Sequence, residues 1–236
     1  MIDYQGIQRQ LVEHLKLERP PIAVIFAEAP PPGVAKFTGT EPSSCSYWRL
    51  AAAGKVFYTV PGDHYNCPVG AYTHHIPLPD ERSSELDQVL GLMVGLGYLR
   101  MEEVPAIPRL PKTPGVIVYA PLAEAPLDPD VVLFAGQPDS LALLNEASVR
   151  AGVASQLSTL GRPTCMALPA ALAHGVVAST GCIGNRVYTG LGAGEMYIAV
   201  RGENLPRIAA EVGTVASANL KLLEYHRQRR DCLATS

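Results

Sequence analysis

Five cysteines, Cys45, Cys67, Cys165, Cys182 and Cys232, are the residues of this chain best suited to chemistry. Cys182 has the most specific setting, Gly181-Cys182-Ile183-Gly184-Asn185-Arg186. Glycines on either side allow left-handed backbone and close approach to a bound group, and a nearby guanidinium favours a thiolate. Cys67 opens a second such loop, Cys67-Pro68-Val69-Gly70. Cys45 follows Ser43-Ser44, where Ser44 would cap a helix over 45–53 and the thiol would sit in the first turn, favoured by the helix dipole. Cys165, between Thr164 and Met166, is either a further ligand or a packed thiol. Cys232 lies in the C-terminal segment, outside the pattern.

Thiolates are soft ligands that select zinc, copper(I) or iron-sulfur clusters. The chain has neither the paired C-x-x-C knuckles of structural zinc sites nor the C-x-x-C-x-x-C run of ferredoxins. Ligands would have to come from distant loops. That arrangement suits an iron-sulfur cluster, 4Fe-4S in type, held by Cys45, Cys67 and Cys182 with Cys165 as a fourth ligand or none. Gly70, Gly181 and Gly184 would shape the cofactor loops. Redox or sulfur chemistry on a small molecule is the leading expectation, with Arg186, His64 and Glu195 as candidate charge- and proton-handling groups. Three alternatives stay open. Zinc or haem could bind a mixed set drawn from His64, His74, His75 and His174; Cys182 could be a metal-free nucleophile in acyl or sulfur transfer; or the segment Gly190 to Glu195 could shape a small-molecule binding module.

These residues need elements to hold them. Ile7, Leu11 and Leu15 predict an amphipathic helix over Tyr4 to Leu17 that ends before Arg19-Pro20-Pro21. Ile22 to Phe26, Lys55 to Val60, Val116 to Tyr119, Val131 to Phe134, Gly175 to Thr180 and Met196 to Val200 read as strands. A helix after Asp80 is expected to turn Leu86, Val89, Leu90, Met93 and Val94 to the core. Another runs from Gln137 through Leu144 and ends near Gly152; its start reads as a plain turn more than as a phosphate site. A long helix capped by Asn204 is expected to bury Leu205, Ile208, Val212, Val215 and Leu223. The fold class is therefore α/β, mixed sheets packed with helices.

The 236 residues fit a single compact domain. Val104 to Pro114 is proline-rich and divides the chain into candidate halves 1–104 and 115–236. In both halves a cysteine, a helix, a glycine, a strand and a second cysteine follow in order, and Val187-Tyr188-Thr189 echoes Ala71-Tyr72-Thr73. A pseudo-twofold internal repeat is one reading of this echo. A hydrophobic content of 47% with 17% charged residues excludes disorder, and a net charge of -3 gives no footprint for nucleic acid. No apolar run approaches the roughly 20 residues needed to cross a bilayer. With neither a basic start nor an apolar signal core at the N-terminus, a cytoplasmic address is expected, so that cysteines serve packing, metals or catalysis in preference to disulfides. The expected partners are a small molecule or a redox protein, and a homo-oligomer is open.

Cys45 with Ala52 and Gly54, Cys67-Pro68-Val69-Gly70, Asp130-Val131-Val132-Leu133 with Gln137-Pro138, and Gly181 to Arg186 with Glu195 together resemble the family of domain of unknown function 169. The likeness covers nearly the whole chain. Asn185 stands where a small residue is expected of that family, and the resemblance implies no activity.

Overall fold

The short β-branched runs assemble into one seven-stranded sheet with helices on both faces in the computed structural model, which describes residues 2–153 and 157–234. In chain order the elements are α1 (Tyr4–Leu15), β1 (Ile22–Ala27), α2 (Ser46–Ala52), β2 (Phe57–Thr59), α3 (Pro68–Thr73), α4 (Glu85–Gly95), β3 (Val116–Pro121) and β4 (Val131–Gly136). There follow α5 (Pro138–Arg150), β5 (Ser158–Leu160), α6 (Ala167–His174), β6 (Val176–Ser179), α7 (Ile183–Thr189), β7 (Met196–Arg201) and α8 (Leu205–Ala234). The strand order is β2-β3-β1-β4-β7-β6-β5; neighbours are antiparallel except β5 and β6, so the sheet is mixed.

Strand side chains alternate between faces, and each central strand feeds two cores. Val131 and Leu133 of β4, with Tyr197 and Ala199 of β7, join Tyr47, Trp48 and Phe57 on one side. Val132 and Phe134, with Ile198 and Val200, meet Leu11 of α1, Leu144 of α5 and Ile208 of α8 on the other. Each fully buried side chain of this size contributes about 1.5–3 kcal/mol. The face that carries α2 and α6 also carries Cys45.

Several sequence expectations change. The sheet does not divide at the proline-rich connection: β3, from the second candidate half, lies between β1 and β2 of the first. The echoed segments share local order while their strands differ in place, β2 at an edge and β6 internal, and a pseudo-twofold repeat is not shown. Ser44 does not cap α2; Cys45 takes the position before it, and the Ser44 hydroxyl bonds His64. The loop after Gly181 is already helical from Ile183. In α4 only Leu90 is buried, and Val94 is exposed, because α4 packs against α3 instead of the sheet. Leu223 is exposed as well, since α8 runs on past the end of its packing against α1 and α5. No helix among the described residues is long and apolar enough to cross a membrane.

Gly202 shows how tightly the β7 end is built. Its N–H donates to Asp130 O at 2.8 Å, and a Cβ placed there would lie 1.7 Å from the Pro129 carbonyl oxygen. Backbone would have to move. Gly202→Ala is expected to lower stability by about 1–3 kcal/mol, read as a lower denaturant midpoint at unchanged slope.

Candidate functional site

Four of the five cysteines line one cavity of about 360 Å³, walled by α3, α7 and the segment that leads into α2 and roofed by α4. Helix starts bring them there. Cys45, Cys67 and Cys182 stand immediately before α2, α3 and α7, and Cys165 lies in the tight turn Thr164–Met166 that feeds α6. The first N–H groups of a helix have no partner within it and carry partial positive charge. One such group reaches Cys67, and a side-chain hydroxyl stands beside Cys45. Gly70 N–H donates to Cys67 Sγ at 3.3 Å, and Ser43 Oγ lies 3.2 Å from Cys45 Sγ. Cys182 N–H donates to Thr164 Oγ1 at 2.5 Å, tying the Cys182 loop to the Cys165 turn.

Burial sets the protonation. It pushes the Cys45 thiol up to about 11, against the opposing pull of Ser43 and Asn185, and the nearby Cys67 and Cys182 add to the rise. Cys67 is raised by burial, although the backbone N–H groups of Ser44 and Gly70 oppose it. Cys165 is raised well above the usual thiol value, by burial first and then by Cys67, Cys45 and Cys182. Its S–H points to Val69 O at 3.9 Å. Burial thus favours the protonated form of all three thiols.

Behind Cys67 stands a buried polar chain. Thr59 Oγ1 donates to Ile117 O at 3.3 Å, so His64 Nε2–H donates to Thr59 at 2.8 Å and His64 Nδ1 accepts from Ser44 Oγ at 2.9 Å. His74 Nδ1–H donates to Gly70 O at 2.7 Å, leaving Nε2 buried without a partner among the described residues. Gly70 is the hinge of this packing. A Cβ there would fall 2.3 Å from Ser44 Oγ and 2.9 Å from Cys67 Sγ.

The other candidate residues are placed differently. His64 is fully enclosed one hydroxyl away from the thiol wall and does not line the cavity. Arg186 is turned from the sulfurs: its guanidinium donates to the carbonyls of Gly192, Thr180 and Glu195 and fastens the turn after α7. Glu195 pairs with Arg19 and accepts Gly192 N–H at 2.6 Å. Burial would raise its carboxyl, but these donors, with the charges of Arg19 and Arg186, hold it below the usual value. Neither Arg186 nor Glu195 lines the cavity. Gly181 needs its left-handed φ of 78°, and Gly184 faces the cavity. His75 bonds Leu110 O, away from the thiols. Among the described residues no group of three or more His, Cys, Asp or Glu is arranged to hold a single metal ion.

Sequence reasoning missed Asn185 as a site residue. It is 1% exposed, lines the cavity, and has neither amide atom in a regular hydrogen bond among the described residues, although it lies beside Cys45. It also missed Arg162, which lies over the Tyr98 ring at 4.5 Å at the cavity rim and has a buried Nε–H without a partner among the described residues. The polar character of Ser43-Ser44 beside Cys45 was a usable signal, but it was assigned to capping. Nothing local marks Arg162, which is distant in sequence from Cys45 and Cys67.

Sheet and cavity define a mixed α/β protein with a thiol-lined pocket on one face. The chain belongs to the family described as Uncharacterised ArCR, DUF169, whose model matches residues 10–211. It is 28% identical to the uncharacterised protein MJ0308 of Methanocaldococcus jannaschii, over 86% of this chain and 91% of that one. No solved structure matches.

Burial holds His64 well below its usual value, with His74 adding to the effect, and brings His74 down to about 4. In the unfolded chain each titrates near 6.5. Unfolded protein therefore binds more protons below that pH, so stability is complete above 6.5 and falls as pH drops toward 4, by up to about 3 kcal/mol for His74 alone. Denaturant midpoints measured across this range should show the acid loss in the wild type and a flatter profile in His74→Asn. A pH-independent midpoint would contradict the buried neutral histidines.

Proposed function

We propose that the cavity binds an iron-sulfur cluster of 4Fe-4S type through Cys45, Cys67 and Cys182, and that the protein uses it for redox or sulfur chemistry on a small molecule. The observation that carries this reading is the meeting of four thiols, each beside a helix start, on one cavity of about 360 Å³. Three features fit the group. The donor set is soft and free of carboxylates, as clusters prefer. N–H and O–H donors already stand on Cys67 and Cys45, and such bonds to sulfur stabilise an anionic cluster and tune its potential. The unpartnered Asn185 amide beside Cys45 supplies another donor for a ligating thiolate.

A bound cluster would supply electron transfer or a Lewis-acidic iron. The chain's own residues do the rest. Cys165, whose S–H is directed at Val69 O, acts as a packed thiol, which favours the set of three ligands. Val89, Leu90, Met93 and Leu99 make the outer wall apolar and keep bulk water from the sulfurs. His64 holds Ser44 in place behind Cys67. Arg186 and Glu195 position the α7 loop that delivers Cys182. A cytoplasmic setting and a small redox partner belong to the same reading.

Anaerobic purification followed by absorption spectroscopy and iron and sulfide analysis tests it. The expected result is a brown protein with roughly four irons and four sulfides per chain. Cys45→Ser, Cys67→Ser and Cys182→Ser should each lose most of the iron, and Cys165→Ser should keep it. A colourless, iron-free protein overturns the reading, and stoichiometric zinc replaces it with a zinc-thiolate site.

A second expectation follows from the close approach at Gly70. Gly70→Ala pushes Ser44 and Cys67 apart and should lower cluster content severalfold, while far-ultraviolet dichroism stays close to wild type. Undiminished iron content would show that Cys67 is not held where ligation needs it.

A further inference from the structure

Two apolar surfaces remain outside the cores. One is the far end of α8: every residue from Ser217 to Leu233 is exposed, a rod about 25 Å long at 1.5 Å per residue. It displays Leu220, Leu222, Leu223, Tyr225 and Leu233, with Leu220 67% exposed. The other is α4 and the turn after it. Here Leu92, Val94, Leu96, Tyr98 and Met101 are exposed, Leu96 at 74%. Lone exposed leucines are ordinary, but on α8 Leu220 and Leu223 share one face with Arg227 and Arg230, and Leu92 and Leu96 lie one turn apart, so each surface offers a paired apolar contact.

Their charges are complementary. Residues 80–103, which surround the α4 patch, carry six acids against two arginines. Residues 217–233 of α8 carry Lys221, Arg227, Arg229 and Arg230 against Glu224 and Asp231. Pairing two α8 ends with each other would bring like charges together, whereas placing α8 on α4 joins opposite charges along an apolar seam. Within one molecule the two surfaces belong to opposite faces of the sheet. The root of α8 packs on α1 and α5 on one face, while α4 borders the cavity beside Cys45 on the other. The free end of α8 lies beyond residues 10–211, the part matched by the family model, and α4 lies within it.

We propose that the exposed end of α8 from one copy docks on the α4 face of a second copy, reciprocally, to form a homodimer. The helix lays Leu220 and Leu223 against Leu92 and Leu96, and Arg227 and Arg230, further along the same face, reach the acids flanking α4. Two equivalent contacts close the assembly about a twofold axis. Because α4 also roofs the cavity, each copy covers the outer side of its partner's site. The inference stands on exposed surfaces and does not depend on what the cavity binds.

Sedimentation velocity on the full chain over a range of concentrations tests it. The expected species is a dimer of the 25.2 kDa chain. Leu220→Glu with Leu223→Glu, and separately Leu92→Glu with Leu96→Glu, should each weaken dimerisation at least tenfold without changing the monomer's circular dichroism, since all four positions are exposed. Arg227→Glu with Arg230→Glu should weaken it too, and adding Asp87→Arg with Glu102→Arg should restore it. A monomeric wild type overturns the proposal. So does a dimer that the α8 substitutions dissociate and the α4 substitutions leave intact, because the helices would then pair with each other.

Discussion

Tyr47 joins more of this molecule than any cysteine does. Its ring stacks on Tyr119 of β3 at 5.5 Å between centroids and meets Phe57 of β2, Phe37 and His64. Its hydroxyl donates to Asp63 O at 2.6 Å, in the segment that leads to Cys67. One side chain thus fixes α2 on the sheet and ties the Cys45 helix to the Cys67 loop. Trp48, the next residue, meets Tyr197 of β7 edge-on at 5.4 Å and extends the anchor toward the strand that follows the Cys182 loop. Aromatic contacts of this kind add about 0.5–1.5 kcal/mol each beyond area burial. The larger consequence is geometric, because helices clamped at their first turns hold the sulfurs that precede them.

The cavity sets burial against charge. Enclosing thiols raises Cys45, Cys67 and Cys165, which would leave a neutral pocket. Hydrogen bonds act in the opposite direction: Gly70 N–H at the start of α3 lowers Cys67, and the Ser43 and Asn185 side chains lower Cys45. Burial is the larger effect at each of these sulfurs.

Much of the fold was legible because strand cores announce themselves. Runs such as Val131 to Phe134 have no polar residue to place, and all of the predicted strands appear, with ends shifted by at most two residues. The convergence of Cys45, Cys67, Cys165 and Cys182 was legible too, through glycine flanks and repeated local order. What failed was tertiary. Leu223 and Val94 have the spacing of buried residues, yet whether a helix face is covered depends on where its neighbours stop, and local periodicity holds no record of that. Arg186 was read as a thiol activator from its distance in sequence. In space its guanidinium finds three backbone carbonyls, because the turn after α7 leaves them facing inward.

Asn185 illustrates the same limit from the other side. By sequence it looked like a departure from a small residue in a glycine loop. In the fold that loop is the first turn of α7, and the side chain is carried into the thiol cavity at 1% exposure. There the carboxamide bears on the Cys45 thiol and the Tyr197 hydroxyl, lowering both against the rise that burial imposes. An alanine would remove that influence and would still leave Gly181 its tight turn against Leu191. The amide therefore bears on the chemistry of the thiol more than on the turn that carries it, and no spacing in the sequence points from Asn185 to Cys45.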